Sequence, residues 1–318
     1  LAASTTASNN SAVGYNSLLA NTTGTANVSV GAYALDANTT ADRNTAIGWQ
    51  SMTSNTTGIY NTGIGDAALE QNTTGNYNAA VGMYSLHKNT ASSNTAVGYA
   101  ALICNTSTGG NAAFGNSALY YNTGSNNTGL GYQAGYQITT GIQIVAVGSM
   151  ALRNNTTGNY SVAVGTCALY YNSTGDYNTA IGRHSLIGNT TGLKNSALGG
   201  LTLEQNTTGS CNVAIGYASL RLNTTGSTNT GLGYQALYNN TTGFENIAIG
   251  LNSLYYNTTG FYNVASGRSS LQSNTTGTRN NAIGSNALTD NTTGSYNTAL
   301  GSYSLRDSST GNDNTALG

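Results

Sequence analysis

Polar and apolar positions recur along this chain with one period. Residues 44–60, NTAIGWQSMTSNTTGIY, show the unit: large apolar residues at the fourth and ninth places, a very small residue before each, and Asn, Thr and Gly through much of the remainder. Counted from its Asn, the unit places Gly48 fifth, and equivalent glycines run from Gly14 to Gly318, with sixteen intervals of 17 residues and two of 16. The consensus is N-T-A-I-G-Y-x-A-L-x-x-N-T-T-G-x-x. The fourth place is apolar in eighteen of nineteen copies, Ser266 being the exception, and the ninth is Leu in sixteen of eighteen, the exceptions being Met52 and Gly135. The third place holds only Ala, Gly or Ser, and the eighth only Ala, Ser or Thr.

A helix is excluded by this pattern, because the two Gly, two Asn and paired Thr of the consensus unit sum to a heavy helix penalty. Two short strands per unit, NTAIG and YxAL, separated by Gly-containing turns, fit better. A unit this short cannot bury a face alone, so units must stack. The predicted fold is all-β: a parallel β-solenoid or β-roll of about eighteen 17-residue coils, continuous over residues 1–318 with no linker. At roughly 4.8 Å per coil it makes a rod on the order of 85 Å long.

Neighbouring strand residues point to opposite faces. Placing Ile47 inside puts Ala46 outside, and Leu69 opposes Ala68 in the same way. An outward column confined to Ala, Gly or Ser suggests close approach by another chain, so the expectation is an intimate homo-oligomer. Gln at Ala163, Ala180, Ala197 and Ala214 should then block assembly. The coil between Gly131 and Gly148 departs from the pattern at Gly135, Ile138 and Ile144, and a bulge, bend or altered turn is expected there. Leu1 falls in the ninth column and Gly318 on the anchor Gly. A chain that starts and stops within a repeat suggests a segment of a longer fibre, or a subunit whose ends stack on copies of itself.

Composition narrows the function. Charged residues are 6 % of the chain, Pro is absent, and the net charge is −1, which gives no electrostatic footprint for nucleic acid. No apolar run approaches the roughly 18 residues of a membrane helix, and LAASTTASNN has no signal-peptide pattern. Candidate chemistry is thin. His87 and His184 occupy different columns, as do Cys104, Cys167 and Cys211. Asp66, Glu70 and Glu204 form no facing pair, and GLGYQAG (129–135) lacks the strand–loop–helix context of a phosphate loop. The expectation is no enzyme, no cofactor and no metal site.

Most of the twenty-two tyrosines cluster in three column groups. A stripe of Trp49, Tyr60, Tyr77, Tyr160, Tyr177, Tyr262 and Tyr296 is a candidate glycan contact, against the alternative that rings stack along the axis. The NTT turns match N-glycosylation acceptors at Asn21, Asn55, Asn72, Asn155, Asn206, Asn223, Asn240, Asn257, Asn274 and Asn291, against the alternative that they serve the turns.

The motif NTAIGYxALxxNTTG, carried by the whole chain, resembles the repeats of bacteriophage tail-fibre proteins, and is similar to the N-S-x-A-I-G coils in heads of trimeric autotransporter adhesins. The resemblance implies parallel homotrimers of left-handed β-rolls, displayed outside the cell or on a virion. Two function classes follow: a fibre or shaft that projects an adhesive or receptor-binding tip, or a binder of a repetitive ligand, surface glycan or ice, through its ladders.

Overall fold

A computed structural model of the chain describes residues 3–318; the expectation for Leu1 falls outside them. The described residues form two units, divided between Thr157 and Gly158, and each is an all-β solenoid. The first unit holds nine strands, from Ser11–Val13 to Val145–Val147, and the second holds ten, from Val162–Val164 to Thr315–Leu317. Every strand is three residues long, and within each unit successive strands pair parallel and in register. Thr45, Ala46 and Ile47 lie beside Thr62, Gly63 and Ile64, and Thr179, Ala180 and Ile181 beside Ser196, Ala197 and Leu198. The period seen in the sequence is therefore the coil of the solenoid.

The second strand of each unit is not formed. YxAL is a tight turn in which the seventh and ninth residues adopt left-handed backbone: His184 has φ 56° and Leu186 has φ 51°. The His184 amide donates back to the Thr166 carbonyl at 3.0 Å, and the Leu186 amide donates onward to the Thr202 carbonyl at 2.9 Å. This sharp turn sends the eighth and ninth side chains the same way, so Ala68 and Leu69 are both fully buried rather than opposed. Left-handed backbone costs a Leu about 1–2 kcal/mol, and full burial of its side chain contributes about 1.5–3 kcal/mol. Burial wins.

The strand faces are also the reverse of the expectation. Ala46 is 0 % exposed and Ile47 is 38 % exposed, and the same pattern repeats in Thr179–Ile181. The cause is the narrowness of the coil. One large side chain per coil, the ninth, fills the apolar part of the interior, and only a side chain the size of Ala fits behind the strand. The small third column is thus interior packing.

The rest of the interior is amide. Asn223 donates from Nδ2 to Asn206 Oδ1 in the coil before, at 2.8 Å, and to the Gly226 carbonyl, at 2.8 Å. Asn240 repeats the first bond onto Asn223 Oδ1 at 2.7 Å. A second ladder runs through the first column: Asn212 Nδ2 donates to the Gly226 carbonyl at 2.9 Å, and Asn212 Oδ1 accepts from the Asn229 amide at 2.9 Å. Gly226 accepts from both ladders. A Cβ there would run into the Gly243 carbonyl oxygen and Asn223 Oδ1, and where Ala41 stands in the same column the neighbouring coil makes room for it. The anchor Gly is constrained twice over: Gly182 has φ 136°, and a Cβ would meet the Gly199 carbonyl.

The expected irregularity near Gly135 is absent from the strands. Thr128–Leu130 and Val145–Val147 keep their length and register. Instead the interior is refilled. A Cβ on Gly135 would lie 2.7 Å from Ile138 Cδ1, so the Ile side chain occupies space that Leu takes elsewhere. Both 16-residue coils lose a residue from the NTTG turn and gain the same replacement bond. Asn94 Nδ2 donates to Asn89 Oδ1 at 3.1 Å, and Asn127 Nδ2 to Asn122 Oδ1 at 2.7 Å.

Candidate functional site

With the third column inside, the second and fourth columns form an uncovered outer strand face. In the first unit it carries Ile47, Ile64, Val81 and Phe114, and in the second Ile181, Ile215, Ile249 and Ile283, all exposed. Exposed aromatics follow the anchor Gly along one border: Tyr15, Trp49, Tyr99 and Tyr132 in the first unit, Tyr217 and Tyr234 in the second. Tyr217 and Tyr234 stack with centroids 5.7 Å apart. Neither the second nor the fourth column contains a charged residue in any coil. The charges stand in the sixth, tenth, eleventh, sixteenth and seventeenth columns. In each unit column four is therefore an apolar strip, beside a second column that mixes Thr, Ser and Asn with Ala, Val and Ile, and such a strip is unusual on a solvent-facing surface.

The seventeenth-column tyrosines do not form one continuous stripe. Tyr60 stacks on Tyr77 at 5.3 Å with planes 13° apart, and Tyr160 on Tyr177 at 4.8 Å and 12°. Between these pairs the column holds Ser93, Gly110, Asn126 and Gln143. Tyr262 meets Phe244 and Phe261 edge-on, and Arg279 sits over the rings of Tyr262 and Tyr296. In the two stacked pairs each ring turns a face onto its neighbour, so those faces are unavailable to a sugar ring. Trp49 belongs to the sixth column and borders the strand face instead.

The ten asparagines read as glycan acceptors are all 0 % exposed. Asn206, Asn257 and Asn274 each donate from Nδ2, the atom a sugar would modify, to interior partners on two sides. A glycan on such an atom has no room in the folded coil. The second Thr of the turn is outside, as Thr208 and Thr225 are, but it is the buried Asn that carries the acceptor nitrogen.

The ionisable residues stay dispersed. His87 Nε2 lies 2.6 Å from Glu70 Oε2, and Arg221 Nε lies 2.5 Å from Glu204 Oε2, each pair joining adjacent coils across the surface. Burial pushes the Cys104 thiol up, against the opposing pull of Lys88, and does the same to Cys167 against Arg183. Neither is thereby poised as a thiolate. Among the described residues there is no cavity and no group of three metal-ligating side chains.

The outer face could have been found from the sequence. A coil whose ninth column already supplies a large side chain has little interior left, so the aliphatic or Phe residue that column four carries in every coil but one must face outward. Searched against known proteins, the chain matches no family model and no curated protein sequence. Geometry alone therefore carries the functional argument.

Proposed function

We propose that this chain is a structural shaft segment of an extracellular or virion appendage, of tail-fibre or adhesin type, that holds an adhesive or receptor-binding tip away from its base. One observation carries the reading: coil after coil commits its inward side chains to the coils before and after it. Leu186 is packed in the interior, Asn189 donates to Asn172 Oδ1 at 2.7 Å, and the Thr190 hydroxyl donates to the Thr207 carbonyl at 3.0 Å. Seventeen residues on, Leu203, Asn206 and Thr207 repeat these roles. Such a unit makes extent, and adding another makes more of it. A direct glycan-binding role gains little from the tyrosines, whose stacked faces are occupied.

Duplication of residues 178–228, three whole coils, tests this. Each coil should lengthen the particle by roughly 4.8 Å, about 14 Å in all, with the fold retained. Small-angle scattering and electron microscopy would measure it. A duplicated chain that unfolds, or keeps its original length, would overturn the shaft reading.

A further inference from the structure

We infer that the outer strand face, columns two and four with the aromatic border of column six, is a self-association surface, and that what covers it is another copy of this chain. The inference deepens the shaft reading and rests on it for the benefit of a multi-stranded assembly.

Three features of the face select that occupant. The first is area. An exposed aliphatic side chain presents on the order of 100 Å² and an aromatic about 200 Å². Ile181 at 41 % exposed is representative of column four in the second unit, and Tyr217 at 49 % and Tyr234 add to it from column six, so its ten strands offer on the order of 800 Å² of surface, apolar along column four. That equals the share each partner contributes to a stable protein interface.

The second feature is chemistry. Column four offers a hydrogen-bonding side chain in one copy only, Ser266, and the hydroxyls of column two, such as Thr179, Ser196 and Thr230, are interrupted by Val162, Val213, Ile247 and Val264. A glycan or an ice surface needs an unbroken array of polar groups, which the interrupted column two does not supply, whereas the aliphatic column four is satisfied by another like it. The absence of charge in columns two and four removes repulsion there when identical surfaces meet, and leaves charge only on the column-six border, at Asp66, Arg183 and Arg268.

The third feature is period. The face repeats once per coil, at the roughly 4.8 Å spacing of paired strands. A globular partner could cover two or three coils. To remain matched along nine or ten, an occupant must carry the same repeat, and this chain does. The fully buried third column, Ala180 and its equivalents, cannot take part, so assembly must proceed through the side chains that point the other way.

The test compares two triple variants of the full chain by native mass and light scattering over a concentration series, with circular dichroism to follow the fold. Ile181→Lys, Ile215→Lys and Ile249→Lys place three charges on the face. Gln205→Lys, Thr228→Lys and Ser273→Lys place the same number on columns eleven and seventeen. The natural chain and the second variant should be multimeric, and the first should dissociate at least tenfold more readily. Should the lysines prevent folding, Ile215→Ser with Ile249→Ser, which copies what the chain carries at Ser266, should still give a weaker assembly with an unchanged spectrum. A face variant as multimeric as the natural chain overturns the assignment of this face and leaves the shaft reading standing. A natural chain that is monomeric throughout overturns self-association itself. The coil-duplication measurement is independent of both outcomes, because a single chain lengthens whether or not it pairs.

Discussion

Asn223 sits between two like residues, donating to Asn206 Oδ1 and accepting from Asn240 Nδ2. Asn223→Ala leaves buried groups without partners on both sides and should cost about 2–3 kcal/mol in denaturant unfolding. Asn223→Asp makes a sharper case. An ionised carboxylate cannot donate to Asn206 Oδ1 or to the Gly226 carbonyl, whereas the protonated acid can donate to one of them. Burial and these acceptors raise its folded pKa, so the variant's stability is retained in acid and lost as pH rises through that value. A pH-independent stability for the Asp variant would contradict the ladder. Ala180→Gln and Ile181→Gln are one residue apart and should differ in kind: the first forces a long polar side chain into a filled interior and should unfold the coil, while the second should leave the circular dichroism unchanged. At this scale the sequence revealed side-chain size with fidelity and direction poorly. Ala46 and Ile47 are plainly one small and one large residue, but which of them faces inward depends on the width of the interior. That width is set by Leu and Asn residues elsewhere in the coil.

The coil is the element of this fold, and its exceptions show its tolerances. Where Gly135 stands in place of Leu, Ile138 stands in place of Asn and fills the gap. Gly135→Leu alone should destabilise by about 1–3 kcal/mol through overpacking. Adding Ile138→Asn should recover much of that, a coupling of at least about 1 kcal/mol in a double-mutant cycle. Additive effects would mean that the two substitutions are unrelated. The period, the strand NTAIG and the parallel stacking were all legible, because repetition leaves few ways to bury a 17-residue unit. The turn at YxAL was hidden. Left-handed backbone is ordinarily signalled by Gly or Asn, and here it is adopted by Leu186 and its equivalents because the tertiary packing outweighs the local preference. The two readings of the asparagines stayed open in the sequence for a related reason: an N-T-T triplet carries the same letters whether its amide faces water or an interior carbonyl.

At the scale of the molecule, cohesion comes from ladders and packing, and charge contributes little. Among the described residues, oppositely ionisable side chains meet at His87–Glu70, Arg221–Glu204 and Arg306–Asp307, each on the surface. Surface pairs contribute about 0–1 kcal/mol each and are screened by salt. Thermal midpoints at low and high sodium chloride should therefore differ by no more than a few degrees, roughly what 1 kcal/mol shifts in a chain of this size. A large loss in salt would point to an electrostatic contribution that the geometry does not contain. The period of the outer face has a further effect on any pair of copies that meet along it. A surface that recurs at every coil is nearly unchanged when slid by one coil, so such a pair has a series of almost equivalent alignments, each one step shorter in overlap than the last. The series is made unequal by the positions where the pattern fails: Ser266 among the aliphatics of the second unit, and Arg183 and Arg268 where an aromatic often follows the anchor Gly. On the proposed self-association face these interruptions would act as index marks on an otherwise uniform scale, setting the phase in which two copies meet.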